Sequence, residues 1–275
     1  SVRGEVRAGI LQHLYRPWRN PLTVSGRRAE MPPMRSLSSC LLLVLSVAPF
    51  AGGCTAAKAS WQLVSAEQAL TRAEAAEALE EAGIDAEAIT HVVITHAHPD
   101  HIWGIRDDFD EAILPGAAFH IGTAEHEFWM QDGLAARMPQ DLQQFAVGAV
   151  NSLEVDGAEW TLVNHEDEIV PGVRVIDTPG HTPGHMSVVV ESGGKQLIAL
   201  GDAMNHAYMN FARPGWYNNF DMNGELTVET RQNLLDMAAT DRMAVLGYHF
   251  PFPGVGDAMK EGDAYRFVPA LWQWG

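Results

Sequence analysis

Short apolar runs that end in histidine or aspartate constrain this chain more than any other feature. The run HVVIT (residues 91–95) is followed within six positions by four such side chains: His96, His98, Asp100 and His101. Three later runs, VRVIDT, QLIALGD and MAVLGYH, reach PGHTPGH, Asp202 and His249. Runs of this kind predict strands, and open α/β sheets place their sites where strands meet loops. The pattern therefore predicts an α/β fold with a polar site at one end of its strands.

The cluster H-x-H-x-D-H at residues 96–101 has the composition of a metal site. Alternate residues of an extended segment point the same way, so His96 and His98 can share one ion while Asp100 and His101 turn toward a second. Imidazole and carboxylate ligands without a thiolate suit Zn²⁺, and also Mn²⁺, Fe or Co²⁺. A single buried histidine is more often structural, but four ligand-type residues this close together favour metal binding.

The remaining pattern predicts helices alternating with strands. Residues 65–83 are rich in Ala, Glu and Leu at helical spacing and end at a glycine, which predicts an amphipathic helix. Further strands are expected at AAFHI, WTLV and SVVVE, and further helices at residues 123–129, 141–153 and 226–240. This alternation is typical of a layered α/β domain.

Composition limits the partners of the chain. Its 275 residues are 47% hydrophobic, which is enough for one large domain, and its net charge of −17 argues against a nucleic-acid partner. The two cysteines, Cys40 and Cys54, both lie near the N-terminus. They cannot provide a disulfide framework or a cysteine-based metal site for the rest of the chain.

The first 54 residues differ from the rest. They hold seven of the 18 basic residues but two of the 35 acidic ones, so the remainder carries a net charge of −22. Residues 34–54 have the layout of a bacterial secretory signal, with an apolar run too short for a membrane span. We expect residues 1–54 to be a leader outside the fold, residues 55–275 to be the folded domain, and the product to be periplasmic or extracellular. Lipid attachment at Cys54, and a cytoplasmic protein whose leader is not a signal, are open alternatives.

The motifs from Ser65 onward resemble those of the metallo-β-lactamase-fold hydrolases. The resemblance implies an αββα sandwich with two Zn²⁺ ions, or other divalent metals such as Mn, Fe or Co. It assigns seven ligands: His96, His98 and His181 to one metal, Asp100, His101 and His249 to the other, and Asp202 as the bridge. His185 is expected to orient a loop rather than to bind metal.

The activity implied is hydrolysis by a metal-bridging hydroxide, with Asp100 and Asp202 as the catalytic carboxylates that steer the proton of the attacking water. A redox role is disfavoured, because the flavin-linked di-iron members of the fold carry glutamate where this chain has His98. The segments GYHFPFPGVG and GDAMNHA are most similar to the methyl parathion hydrolase branch, which implies a small ester or phosphotriester substrate. An acyl-homoserine lactone lactonase is the alternative, although many of those enzymes carry tyrosine at the position of Asn205.

Residues beside the ligand loops are candidates for the substrate pocket. The aromatic candidates are Trp103, Phe211, Trp216, Tyr217, Phe220, Phe250 and Phe252. The polar candidates are Asn205 and His206, which follow the Asp202 motif. Aromatic side chains in these places could stack on an aryl leaving group.

One departure from the family concerns the strands that precede the H-x-H-x-D-H motif. Between Cys54 and the helix expected at Ser65 the chain offers only WQLV, so part of the first half-sheet is expected to be missing. A catalytically dead metal-binding remnant of a truncated gene is therefore a second functional class. A homodimer that supplies the missing strands from a partner is a further alternative.

Overall fold

The computed structural model describes residues 42–46, 60–64, 85–107, 109–251 and 254–270. These residues lie in one compact unit. The helix expected over residues 65–83 and the pocket candidate Phe252 lie outside the described ranges, so both stay predictions.

Five strands form the first sheet, in the order β2-β1-β3-β4-β5. They are β1 (Leu42–Ser46), β2 (Ser60–Val64), β3 (His91–Ile94), β4 (Ala118–Gly122) and β5 (Glu159–Val163). Strands β3, β4 and β5 run parallel, whereas β1 is antiparallel to both of its neighbours. Parallel neighbours require crossover connections, and helices provide them here.

Seven strands form the second sheet, in the order β12-β11-β10-β9-β8-β7-β6. They are β6 (Glu168–Val170), β7 (Val173–Asp177), β8 (Met186–Ser192), β9 (Lys195–Ala199), β10 (Ala244–Leu246), β11 (Val255–Glu261) and β12 (Ala264–Pro269). Only β9 and β10 pair in parallel within this sheet. The first five residues of β8 are all buried, as expected for a strand covered on both faces.

Six α-helices accompany the sheets in the described residues. They are α1 (Pro99–Ile102), α2 (Thr123–Trp129), α3 (Leu134–Arg137), α4 (Gln143–Leu153), α5 (Met209–Ala212) and α6 (Gly224–Asp241). Helix α6 begins after Asn223, whose side chain accepts a hydrogen bond from the Leu226 N–H group. None of the described helices combines the length and apolarity needed to cross a membrane.

The apolar core is divided into three layers. Val93 and Val163 of the first sheet pack against valines of β7 and β8 in the second, which fills the space between the sheets. Helices α2 and α4 cover the other face of the first sheet through residues such as Trp129. Helix α6 covers the other face of the second sheet through residues such as Leu235. The result is the αββα sandwich that the family resemblance implies.

Strand β1 lies in the part of the chain that composition assigns to a leader. Composition predicts that residues 1–54 are a leader outside the fold, whereas Leu42–Ser46 lies in the sheet between β2 and β3. A five-residue apolar run has the length of a strand, and apolarity alone does not separate a secretory segment from a strand of a sheet. The first sheet therefore has one strand more than the expected WQLV segment, which here is part of β2.

Candidate metal centre

The candidate ligands are brought together by loops at the ends of four strands. His96, His98, Asp100 and His101 follow β3, and Pro99 stands at the first position of α1, where a missing N–H group costs nothing. His181 lies in the loop between β7 and β8, Asp202 follows β9, and His249 follows β10. Ligands from both sheets thus meet at one end of the sandwich.

Three buried histidines form the first group, which we call the three-histidine group: His96, His98 and His181. Their ligand atoms all lie within 4.8 Å of one another. His98 Nδ1 and His181 Nε2 are 2.9 Å apart. His96 Nδ1 lies 3.1 Å from the Thr95 hydroxyl, which leaves its Nε2 for another partner.

Two carboxylates and two histidines form the second group, which we call the mixed group: Asp100, His101, Asp202 and His249. Their ligand atoms also lie within 4.8 Å of one another. His101 Nε2 is 3.2 Å from Asp202 Oδ1, and His249 Nε2 is 3.4 Å from Asp100 Oδ2. Asp202 also approaches the three-histidine group, with its Oδ2 at 3.4 Å from His181 Nε2. It is therefore placed between the two groups, as the bridge that the family resemblance implies.

The two groups differ in the charge they favour. Burial lowers the pKa of His98 to about 3, and it lowers the pKa of His96 well below its usual range, so these imidazoles are neutral. Burial opposes charge on His101 and His249 as well, but the adjacent carboxylates raise their pKa values to about 9 and about 10. The same histidines hold the pKa of Asp202 far below its usual range, although burial alone would raise it. A cation that binds here replaces the protons of the mixed group.

Unsatisfied polar atoms test whether a metal fits. Within the described part of the chain, three buried atoms of the two groups make no hydrogen bond: His96 Nε2, His101 Nε2 and Asp202 Oδ1. The last two lie 3.2 Å apart as an ion pair without hydrogen-bond geometry, whereas His96 Nε2 makes no hydrogen bond. Buried polar atoms are normally hydrogen-bonded, so this arrangement requires a further partner. Imidazole nitrogens and carboxylate oxygens at these separations are a suitable donor set for divalent cations such as zinc. The residues therefore fit the metals that the sequence predicts.

Two further side chains hold the ligands in place. His181 Nδ1 donates to Asp221 Oδ1 at 2.9 Å, which leaves the Nε2 lone pair directed at the site. His185 Nδ1 donates to the carbonyl oxygen of Thr178, and its Nε2 accepts from the Asp202 N–H group at 3.0 Å. His185 thus fixes the main chain at Asp202. A Cβ atom on Gly201 would lie 2.5 Å from His185 Nε2, so only glycine fits before Asp202.

A cleft of about 630 Å³ opens over the two groups. It is lined by His98, Pro99, Asp100, Trp103, Gln144, Phe145, His181, Asp202, Asn205, Asn218, Phe220 and His249. Among the described residues that line this cleft there is no lysine or arginine. Its walls are aromatic and amide side chains, and its floor carries the candidate ligands.

Not every predicted pocket residue lies in this cleft. Trp103, Asn205 and Phe220 line it, as expected from their places beside ligand loops. Phe211 and Phe250 are buried in the core against α6, which corrects the expectation that they face substrate. The chain alternates sides as it leaves a ligand, so adjacency in sequence does not decide which side chains reach the cleft. The remaining described candidates, His206, Trp216 and Tyr217, are exposed and are not among the residues that line it.

Several site residues were not predicted from the sequence. Phe145 and Gln144 come from α4, more than 40 positions after the first ligand motif. Asp221 approaches His181 from 40 positions away. Glu125 bonds the ligand loops from inside the core. No local pattern marks these residues, because their roles depend on which elements the fold brings together.

Comparison with known proteins gives the family. The sequence profile of the metallo-beta-lactamase superfamily matches residues 62–249. The Probable metallo-hydrolase Mb2322c of Mycobacterium bovis is 33% identical over 137 residues, which cover 48% of this chain and 42% of that protein. An N-acyl homoserine lactonase of a Bacillus species is 24% identical over 171 residues, covering 62% of this chain and 60% of the lactonase. The match therefore spans about half the length of these relatives.

Two solved structures resemble the fold. The hydrolase AbOPH of the beta lactamase superfamily is 28% identical, with a TM-score of 0.65 over 72% of this chain and 69% of that one. The dizinc quorum-quenching lactonase AidC is 25% identical, with a TM-score of 0.67 over the same shares of the two chains. The profile match covers more than half of the chain and includes all seven candidate ligands. This chain belongs to the metallo-beta-lactamase superfamily.

Proposed function

We propose that this chain is a dinuclear metal-dependent hydrolase of small, uncharged esters or phosphotriesters. The observation that carries the proposal is the meeting of seven histidine and aspartate side chains at the floor of a cleft without lysine or arginine among its described lining residues. A charged substrate would need a counter-charge in the cleft walls, so their composition favours a neutral molecule.

Zinc is the metal we propose. The donor set contains imidazole and carboxylate groups without thiolate, which suits zinc and also manganese, iron or cobalt. The structural similarity to AidC, a dizinc lactonase, supports zinc among these metals. Two such cations would supply an activated water molecule and polarise the oxygen of the bond under attack.

The side chains of this protein have separate tasks in that reaction. Asp221 fixes the orientation of His181, and His185 fixes the main chain at Asp202. Both catalytic carboxylates can receive the proton of the attacking water, and Asp100 is the more accessible, with its side chain 36% exposed against 7% for Asp202. Asp100 is therefore our candidate for the group that passes this proton to solvent.

The walls of the cleft support a substrate with an apolar substituent. A neighbouring recess of about 340 Å³ shares His98, Phe145 and Phe220 with the cleft and extends to Leu142. Its one arginine, Arg137, donates to the Asp132 carbonyl and to the Gln131 side chain. Aromatic side chains in this position can stack on an aryl group or pack on an alkyl chain. An aryl ester or aryl phosphotriester of the kind implied by the methyl parathion hydrolase branch meets this description.

A lactone is the second candidate substrate. It is favoured by the similarity to the Bacillus lactonases and to AidC. Asn205, which lines the cleft, stands where many lactonases carry tyrosine, and this difference favours the ester or phosphotriester. Both candidate substrates would use the same metal centre. The choice between them depends on the side chains that line the cleft.

The experiment compares three neutral substrates with one preparation. A nitrophenyl ester, a nitrophenyl dialkyl phosphate and an N-acyl homoserine lactone are assayed with the zinc-loaded chain, and metal content is measured by elemental analysis. We expect two zinc ions per chain and the highest kcat/KM with the ester or phosphotriester. A preference for the lactone would instead establish the second candidate.

His98→Ala and His126→Ala provide the matched variants. His98 belongs to the three-histidine group, whereas His126 lies on α2 outside both groups. We expect turnover to be lost in the first variant and kept in the second. Fewer than two metals per chain without any turnover would contradict the proposal and identify a metal-binding remnant.

A further inference from the structure

Glu125 is a buried carboxylate outside the two ligand groups. It lies in the first turn of α2, and its exposed fraction is 0%. No ion pair with a lysine, arginine or histidine holds it among the described residues. A buried carboxylate without such a partner is costly unless hydrogen bonds satisfy both of its oxygens.

Four donors satisfy Glu125. Its Oε1 accepts from the Ala97 N–H group at 2.9 Å and from Trp129 Nε1 at 2.6 Å. Its Oε2 accepts from the Thr182 hydroxyl at 2.7 Å and from the Gly184 N–H group at 3.0 Å. Three of these donors lie in ligand loops, and only Trp129 belongs to α2 itself.

The positions of the loop donors define what Glu125 connects. Ala97 lies between His96 and His98 in the loop after β3. Thr182 immediately follows His181 in the loop between β7 and β8. A single carboxylate therefore joins the two loops that carry all three members of the three-histidine group, and these loops come from different sheets.

The fit of the second loop against α2 is close. A Cβ atom on Gly184 would lie 2.0 Å from the main-chain nitrogen of Glu125. The loop main chain thus packs directly on the start of α2, which leaves no room for a water molecule between the Gly184 N–H group and the carboxylate.

We propose that Glu125 is a positioning residue that fixes the three-histidine group before a cation binds. Its bonds hold the main chain beside His96, His98 and His181, so the ordering of two loops is completed during folding rather than during metal binding. Glu125 accepts hydrogen bonds beside the three-histidine group, whereas Asp100 and His101 lie further along the same loop and Asp202 and His249 lie on other loops, so we expect a smaller effect on the mixed group. This inference rests on the proposed function, because it assumes that the three-histidine group binds metal.

The test is the zinc affinity of the Glu125→Gln variant, measured for both sites by competition with a chromophoric chelator. Glutamine has the same shape, but its NH₂ group must face either the Ala97 or the Gly184 N–H group, so one loop loses its bond. Partners that hold metal ligands in place typically affect metal affinity about 10- to 100-fold. We expect zinc affinity to fall by this factor at the three-histidine group and to change less at the mixed group.

Three further variants separate positioning from general stability. Glu127→Gln makes the same change at an exposed position of α2, and Trp129→Phe removes the one donor that is not in a ligand loop. Glu127→Gln is expected to bind zinc as the unchanged chain does. Trp129 also packs against the His98 ring, so Trp129→Phe is expected to lose some zinc affinity, but less than Glu125→Gln. Thr182→Val removes one loop donor and is expected to give a smaller loss than Glu125→Gln, which keeps the test possible if the Glu125 variant does not fold. Thermal unfolding of each metal-free variant is recorded alongside.

The outcomes are distinct. A selective loss at one site in Glu125→Gln and Thr182→Val, with Glu127→Gln unchanged and a smaller loss in Trp129→Phe, supports the positioning role. Unchanged affinity at both sites in Glu125→Gln and Thr182→Val overturns the inference and leaves the proposed function standing. Affinity losses that follow the loss of thermal stability in every variant, Trp129→Phe included, also overturn it. If the unchanged chain binds no zinc, both proposals fail.

Discussion

Asp221 lies outside the ligand set but holds both a ligand and a loop of the cleft in place. Its side chain is fully buried, accepts from His181 Nδ1 through Oδ1, and accepts from the Asn218 N–H group through Oδ2. It therefore sets the tautomer of His181 and anchors the loop that carries Phe220 over the cleft. A carboxylate behind a ligand histidine also fixes the orientation of its ring.

We predict that Asp221→Asn lowers zinc affinity about 10-fold and that Asp221→Ala lowers it about 100-fold. Asparagine keeps an acceptor oxygen for His181 but loses the charge, whereas alanine loses both. Chelator competition measures the affinities, and Asp236→Asn on the exposed face of α6 is the control. Equal affinities in Asp221→Ala and the control would contradict this role for Asp221.

Some residues of this site can be predicted from the sequence, and others cannot. The seven candidate ligands follow strands directly, so the strand pattern and the ligand chemistry mark them together. Asp221 and Glu125 lack such a mark, because each acts on a residue at least 28 positions away. The aromatic candidates lie between these cases: Phe220 lines the cleft, whereas Phe250 follows a ligand directly but turns into the core.

The loop between β7 and β8 and helix α2 form one packed unit. Gly184 allows the loop to lie against the main chain of Glu125, since any Cβ atom there would overlap α2. The overlap involves backbone atoms on both sides, so a side-chain movement cannot relieve it. The position of this loop therefore requires glycine at residue 184.

We predict that Gly184→Ala destabilises the chain by at least about 1–3 kcal/mol, the usual cost of overpacking. Gly116→Ala is the matched control, because a Cβ atom there has no neighbour within 4 Å. That change is expected to be neutral or to stabilise the chain slightly by restricting the unfolded state. Urea unfolding of the metal-free variants gives both values, and similar values for the two would contradict the packing argument.

At the scale of elements, the strongest sequence patterns gave the most accurate predictions. The helix expected over residues 123–129 is confirmed as α2, and the strand expected at residues 91–95 is confirmed as β3 with one residue less. Strands β11 and β12 were not predicted. Their residues mix buried, half-buried and exposed positions and include Asp257, Lys260 and Arg266, so they lack the apolar runs of the central strands.

A histidine pair between adjacent strands links the stability of the molecule to pH. His91 Nδ1 and His120 Nε2 lie 3.0 Å apart on β3 and β4. Burial, with a further contribution from His91, lowers the pKa of His120 to about 4, and burial lowers the pKa of His91 as well. The pKa of histidine in the unfolded chain is about 6.5. At pH values between the pKa of folded His120, about 4, and this unfolded pKa, the unfolded chain binds more protons than the folded one. Stability contributed by the neutral pair is therefore present above about pH 6.5 and is lost as the pH falls toward 4.

We predict that His120→Leu flattens the dependence of the unfolding free energy on pH in this window. Removing one such proton reduces the slope by up to about 1.4 kcal/mol per pH unit. Urea unfolding of the unchanged chain and of the variant at several pH values, with a chelator present so that metal release does not contribute, measures the two slopes. Equal slopes would show that protonation of His120 is not linked to unfolding.

The number of residues in the folded domain depends on whether strand β1 forms. The composition of residues 1–54 predicts a leader, yet Val44 pairs with Gln62 on one side and with Val92 on the other. In such a position the N–H group of Val44 points to one of two paired strands. Proline at this residue would remove that donor, and the carbonyl it served would lose its partner.

We predict that Val44→Pro in the full chain lowers the unfolding free energy by about 1–3 kcal/mol, because a hydrogen bond between strands is lost and one of its groups is left unpaired. Val44→Thr keeps the N–H group and the branched side chain, so it is expected to unfold much as the unchanged chain does. Intact mass establishes that residues 34–54 are present in each preparation. If proline and threonine give the same stability as valine, residues 42–46 serve as a leader rather than as a strand, and the first sheet begins at β2 and β3.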